Sequence, residues 1–218
     1  MNADGWGVGW WDLARRAEPA RYRTAAPMWT DRSFRSVAEV VQSGAIVASV
    51  RSATPGSPIV ATGNAPFVAE QWLFSLNGYI EGFRRGVGEQ LRRTVTERRA
   101  GGIEGTADSE VLFAMALDRL DGGASAAEAL DDITASVLDI TDAKLNLLLG
   151  DGRAITATAC GNSLFTLRGT GLAAGGVLVA SEPFDDDPGW TAVADGTAVL
   201  ATSNHLDFVP LSSPGGTQ

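Results

Sequence analysis

Three short stretches of this chain carry residue types able to grip and activate an amide. Arg51-Ser52-Ala53-Thr54 follows one apolar run, Ser75-Leu76-Asn77-Gly78 closes a second, and Ala107-Asp108-Ser109-Glu110 stands where a helix would begin. The Arg51 guanidinium can hold a carboxylate with a fork of donors, and Thr54 just beyond it can add a hydrogen bond. Asp108 can receive an ammonium. The Asn77 amide and the Gly78 N–H can face a developing oxyanion. A ligand with a carboxylate, an ammonium and an attackable carbonyl is glutamine or a γ-glutamyl amide, so a small-molecule γ-glutamyl substrate is expected.

Each residue also has a plainer reading. Asn-Gly is a strong signal for a type I′ hairpin turn. Arg51 could sit in a surface ion pair, which is worth little. Asp108 suits a helix N-terminus by capping and dipole alone, and Ser109 and Glu110 read as helix-start residues. The sole cysteine, Cys160, reads as a small buried hydrophobe with no adjacent Lys, Arg or His to lower its pKa. The sole histidine, His205, reads as structural. Asp185-Asp186-Asp187 lacks the alternation and distal Glu of a calcium loop, so a turn closed by Pro188-Gly189 is expected there. No metal or organic cofactor is expected.

The elements that position these groups follow from periodicity. Gly5 to Trp11 alternates glycine with bulky residues and predicts a strand. Residues 14 to 31 read as a strand plus loop. Ser33 is a candidate cap for a helix through Val41, closed by Gly44. Ala45 to Val50 predicts a buried strand ending at Arg51, and 54 to 66 a Gly/Pro-rich loop. Gln71 to Leu76 predicts a core strand delivering Asn77-Gly78. Helices are expected over Val87–Arg99, from Asp108, and over Ser125–Leu138. Strands are then expected at 144–149, 154–159, 163–167, 177–181, 197–201 and 206–210, with turns at Gly150-Asp151-Gly152 and Gly161-Asn162. Strands, helices, then strands give an α+β fold; pattern alone does not choose among α+β layouts.

With 218 residues, a net charge of −9 and a pI near 4.6, the chain argues against a nucleic-acid binder, which would carry a basic face. One cysteine excludes an internal disulfide framework and fits a reducing, cytoplasmic setting. No run of about twenty apolar residues marks a membrane span, and no basic-then-apolar start marks a secretion signal. The sequence points to no membrane partner.

The order Arg51, Asn77-Gly78, Asp108 resembles the class II glutamine amidotransferases. Two longer segments, Asn2-Ala3-Asp4-Gly5-Trp6-Gly7-Val8-Gly9-Trp10 and Ser181-Glu182-Pro183-Phe184-Asp185-Asp186-Asp187-Pro188-Gly189-Trp190, are similar to the amidohydrolase family of ergothioneine biosynthesis. That family removes glutamate from a γ-glutamyl-cysteinyl-hercynine sulfoxide. The resemblance runs from Asn2 to about Val209 and implies a four-layer αββα sandwich of N-terminal-nucleophile hydrolase type. The length suits one domain, over 1–211, and the small, polar stretch 212–218 reads as a disordered tail.

The chemistry it implies begins with an N-terminal cysteine thiolate attacking the γ-amide. The cysteine's own α-amine, with an ordinary pKa of about 7.7–8.0, serves as base. Asn77 and Gly78 hold the oxyanion. Arg51, Asp108 and Thr54 hold the glutamyl group, and water then cleaves the thioester. Trp190 would pack on a cationic betaine.

The chain departs from the family in two places. Leu76 stands where the family usually has His. Family members also open Met-Cys and run through a first strand before the Asn-Ala-Asp-Gly segment, whereas here Met1 directly precedes Asn2. The expectation is a start placed at an internal Met, with the first strand and the nucleophile missing and no turnover until the chain is extended upstream. An uncovered sheet edge would favour aggregation or a homodimer. Two other readings stay open: a glutaminase feeding ammonia to a separate partner, and a non-catalytic binding module.

Overall fold

The computed structural model describes residues 2–53 and 58–212. They divide into two compact units: one holds the chain up to Ser75 with Glu104–Ala107 and Gly150–Arg153, and the other holds the rest.

In the first unit β1 (Trp6–Trp10) lies between β2 (Ala20–Thr24) and β3 (Ile46–Val50), antiparallel to both. The glycines of β1 are there for close approach. A Cβ on Gly7 would stand 2.4 Å from the Ala65 carbonyl oxygen, and one on Gly9 would stand 2.5 Å from Leu73 Cδ1. Trp6, just before them, is buried. Its ring meets the edge of Phe34 at 4.5 Å and Tyr22 at 5.4 Å.

Phe34 comes from α1 (Arg32–Val40), whose cap is Asp31 rather than Ser33. The Asp31 carboxylate accepts from the Phe34 N–H at 3.1 Å, and Ser33 already lies inside the first turn. β3 is an edge strand, and only Val47 in it is buried. The unbroken apolar run therefore does not mean burial on both faces here. β4 (Phe67–Ala69) pairs with the start of β5 (Trp72–Ile80), and this short hairpin was not read from the sequence.

The second unit opens with the end of β5. The helix expected over 87–99 is two pieces, α2 (Val87–Arg92) and α3 (Glu97–Ala100). The Thr94 hydroxyl bonds back to the Leu91 carbonyl at 2.8 Å. Thr96 is held by Asp118, through its N–H at 2.8 Å and its hydroxyl at 2.5 Å. These side-chain bonds compete with the helical ladder and end it. Asp118 belongs to α4 (Asp108–Asp121), which packs on α5 (Ala126–Leu138). α5 begins with a capping box between Ser125 and Glu128.

Six strands form one sheet in the order β12 (Leu206–Pro210), β11 (Thr197–Thr202), β7 (Ala154–Ala159), β6 (Ala143–Gly150), β5, β4. α5 packs on β7 and β11. Leu145, Leu147 and Leu149 alternate along β6 and are fully buried, as are Leu130 and Ile133 of α5. A second sheet sets β8 (Phe165–Arg168) between β9 (Val177–Ala180) and the two-residue β10 (Thr191–Ala192), which lay below the sequence signal. Ser212, assigned by sequence to the tail, bonds Asp131 through its N–H at 2.8 Å and its hydroxyl at 2.7 Å. The remaining tail lies outside the described residues.

Candidate active site

Arg51 follows β3 directly. Its N–H donates to the Gly5 carbonyl at 2.9 Å, and its own carbonyl accepts from the Asp4 N–H at 3.0 Å. The Asp4 carboxylate then accepts from the Ala53 N–H at 2.8 Å. The Asn-Ala-Asp-Gly segment is thus a clamp on the Arg51-Ser52-Ala53 stretch, a role the sequence reading did not assign to Asp4. Gly5 (φ +124°) cannot be replaced within this clamp, because a Cβ would lie 2.0 Å from Asn64 Nδ2 and 2.6 Å from the Thr24 carbonyl. Asn64 is fully buried there and donates to that same Thr24 carbonyl at 2.6 Å.

The Arg51 guanidinium donates to the Pro58 carbonyl at 3.1 Å and lies against Gly63, where a Cβ would come within 3.2 Å of Nη1. Among the described residues it forms no ion pair with a carboxylate. A half-buried guanidinium bonded only to a backbone carbonyl retains donors for an anionic ligand. Thr54 lies outside the described residues.

Asn77 and Gly78 sit inside β5, not in a turn. The strand runs on to Ile80, and the bend follows at Gly82 (φ +66°). Strand continuity rules out the type I′ hairpin reading. The Asn77 side chain is exposed and has no hydrogen-bond partner among the described residues. Gly78 is obligatory: a Cβ would stand 1.8 Å from the Lys144 carbonyl oxygen on β6. The Asn77 carbonyl accepts from Asn162 Nδ2 at 3.1 Å.

Asp108 is the first residue of α4, and its Oδ1 accepts from the Ser109 N–H at 2.8 Å. Glu110 is buried in the first turn. Asn77, Gly78 and Asp108 belong to the second unit and Arg51 to the first.

The remaining candidates resolve simply. Asp185 and Asp187 are engaged within their own turn. Asp185 accepts from Trp190 Nε1 at 2.7 Å, and Asp187 accepts from the Gly189 N–H at 2.8 Å. Trp190 meets Phe184 edge to face at 5.1 Å. Among the described residues no cluster of His, Cys, Asp or Glu could hold a metal ion. Burial, with help from the Asp195 charge, pushes the Cys160 thiol up, the wrong direction for a nucleophile. His205 is exposed and lies 2.6 Å from Asp207.

Sequence reasoning missed Asn146. It is buried in β6 and makes four hydrogen bonds to the turn that follows β7. Its Nδ2 donates to the Asn162 and Ser163 carbonyls at 3.1 and 2.9 Å, and its Oδ1 accepts from the Cys160 and Asn162 N–H groups at 2.9 and 3.3 Å. The available signal was a lone amide inside the run Leu-Asn-Leu-Leu-Leu. A buried polar group must find partners.

With its antiparallel sheets, its helices and this set of polar groups, the chain belongs to the class II glutamine amidotransferases, whose family model matches residues 1–174. It is 38% identical over 215 residues to the gamma-glutamyl-hercynylcysteine sulfoxide hydrolase of Mycolicibacterium smegmatis, covering 97% of this chain and 83% of that one. A hydrolase of the same name from Mycobacterium tuberculosis is 38% identical over 220 residues, covering 99% and 82%. The relatives are thus enzymes, named as hydrolases. Among solved structures, a class-II domain protein from Silicibacter pomeroyi superposes with a TM-score of 0.72 at 24% identity, covering 96% of this chain and 92% of the other. The Bacillus subtilis glutamine phosphoribosylpyrophosphate amidotransferase gives 0.67 at 16%, covering 97% and 44%. These two likenesses concern the fold, which is of the N-terminal-nucleophile type.

Proposed function

We propose that this protein hydrolyses a γ-glutamyl amide, releasing glutamate, and that its substrate is γ-glutamyl-hercynylcysteine sulfoxide. The observation that carries this reading is the near-full-length likeness to hydrolases named for that substrate. The exposed Asn77 amide, next in sequence to the Gly78 N–H, supports it, since side-chain amides and backbone N–H groups are the donors of an oxyanion site.

In this reading Arg51 binds the glutamyl carboxylate, Asp108 its ammonium, and Thr54 adds a hydrogen bond. The Asn77 amide and the Gly78 N–H stabilise the tetrahedral oxyanion. None of the 218 residues is assigned as nucleophile, because Cys160 has the wrong environment. The attacking group of the class is the thiolate of an N-terminal cysteine, with its own amine as base, and no cofactor takes part.

The test is glutamate release from γ-glutamyl-hercynylcysteine sulfoxide and from glutamine. Two forms are compared: the chain as given, and a form extended ahead of Met1 by a segment opening on cysteine. The reading expects turnover in the extended form only, with the sulfoxide preferred. Preference for glutamine would point instead to an ammonia-supplying glutaminase. Inactivity of the extended form on both substrates would remove the reading.

A further inference from the structure

We infer that Asn162, held in place by the buried Asn146, is a positioning residue for the oxyanion-binding peptide between Asn77 and Gly78. The inference rests on the role proposed for Gly78 and adds the device that aims it.

The carbonyl of Asn77 and the N–H of Gly78 belong to one peptide unit. That unit is planar and trans, so its C=O and N–H point in opposite directions. Fixing the carbonyl therefore fixes the direction of the N–H. Asn162 Nδ2 fixes it with a 3.1 Å hydrogen bond to the carbonyl oxygen. A donor on the carbonyl also polarises the amide and strengthens the N–H opposite as a donor. One contact thus both aims and activates the Gly78 N–H.

Asn162 lies in a loop, and loops do not hold side chains by themselves. Here Asn146, 4% exposed, grips the Asn162 backbone at both ends, accepting from its N–H and donating to its carbonyl. It also grips the neighbours Cys160 and Ser163. The amide orientation of Asn146 is unambiguous, because Nδ2 faces two carbonyls and Oδ1 faces two N–H groups. The same turn reaches the other way, where the Ser163 hydroxyl donates to the Ser181 carbonyl at 2.8 Å. The chain of control runs from the β6 interior, through the 160–163 turn, to the back of the Asn77–Gly78 peptide.

The discriminating variant is Asn162→Asp, which keeps size and backbone but removes the donor. Asn162→Ala accompanies it, and Asn146→Ala tests the support beneath. Two readouts are taken. The first is the amide nitrogen signal of Gly78 by NMR in the chain as given, which follows the hydrogen bond on the preceding carbonyl and needs no turnover. The second is steady-state hydrolysis of γ-glutamyl-p-nitroanilide by the cysteine-bearing form.

In both Asn162 variants the Gly78 signal should move while core amides stay. The kcat should fall about tenfold with KM within twofold, less than the hundredfold or more that loss of an oxyanion donor itself costs. A Gly78 signal unmoved by either Asn162 variant would show that no such brace exists. An unchanged kcat, or a loss confined to KM, would show that the brace does not aim a catalytic donor. A cysteine-bearing parent that hydrolyses neither this probe nor γ-glutamyl-hercynylcysteine sulfoxide nor glutamine would count against the proposed function, and the Gly78 signal would still decide the brace. Should Asn146→Ala fail to fold, the Asn162 pair carries the test alone.

Discussion

Gly78 has no room for a side chain, and the obstacle is backbone. With the Lys144 carbonyl oxygen 1.8 Å from a Cβ, Gly78→Ala must push β5 off β6. The expected cost is on the order of 3 kcal/mol, read as a lower denaturation midpoint; an unchanged midpoint would contradict the packing described. Asn77→Ala acts differently. Its exposed amide has no partner to lose among the described residues, so stability should hold within about 0.5 kcal/mol, while kcat in the cysteine-bearing form should drop by at least about a hundredfold. The Cys160 thiol, raised by burial, should be alkylated by iodoacetamide at pH 8 more slowly than in the urea-unfolded chain. Equal rates would contradict its partial burial. At this scale the sequence offers Asn77 and Arg51 as candidates by residue type alone, and the fold leaves the first exposed and the second half-buried. Asp4 and Asn146 were opaque because their work is done on backbone groups distant in sequence, at Ala53 and at the 160–163 turn.

Elements were legible where apolar spacing is strong and hidden where side chains compete with the backbone. α4 and α5 follow their periodicity closely. The 87–99 segment does not, because Thr94 and Thr96 spend their hydroxyls on Leu91 and Asp118. The strand through Asn77 outlasts its apolar run because the β6 backbone continues beside it. The α3–α4 junction carries a paired fork: Arg99 Nε and Nη2 lie 2.7 and 2.5 Å from the two oxygens of Asp121. The Arg99 hydrogen bonds hold the Asp121 carboxyl below its usual range. A carboxyl depressed in the folded state stabilises above its unfolded pKa of about 3.9, and that contribution disappears as pH falls through the folded value. Asp121→Asn should therefore cost up to about 1 kcal/mol at pH 7, with the gap closing as the solution is acidified below about pH 4. A gap that persists in acid would mean that the pair is not its source.

Charge is unevenly shared across the molecule. The first unit balances eight acidic against eight basic side chains, whereas the second sets eighteen against nine and so holds the whole net charge of −9. Its ion pairs are mostly exposed and worth little, so repulsion should dominate its response to salt. Raising NaCl from about 10 to about 300 mM, which shortens the screening length several-fold, should raise Tm by a few degrees; a fall would mean that attractive pairs dominate. Among the described residues no helix is long and apolar enough to cross a membrane. The α+β class was legible from element order alone, but the sandwich family was not. That step needed the Asn2–Trp10 and Ser181–Trp190 segments, because periodicity records which face is buried and not what it is buried against. The most direct measurement for the account is glutamate release from γ-glutamyl-hercynylcysteine sulfoxide by the cysteine-bearing form, compared with its Asn77→Ala variant. The account predicts turnover in the parent and a loss of at least about a hundredfold in kcat in the variant. Equal turnover in the two would contradict it.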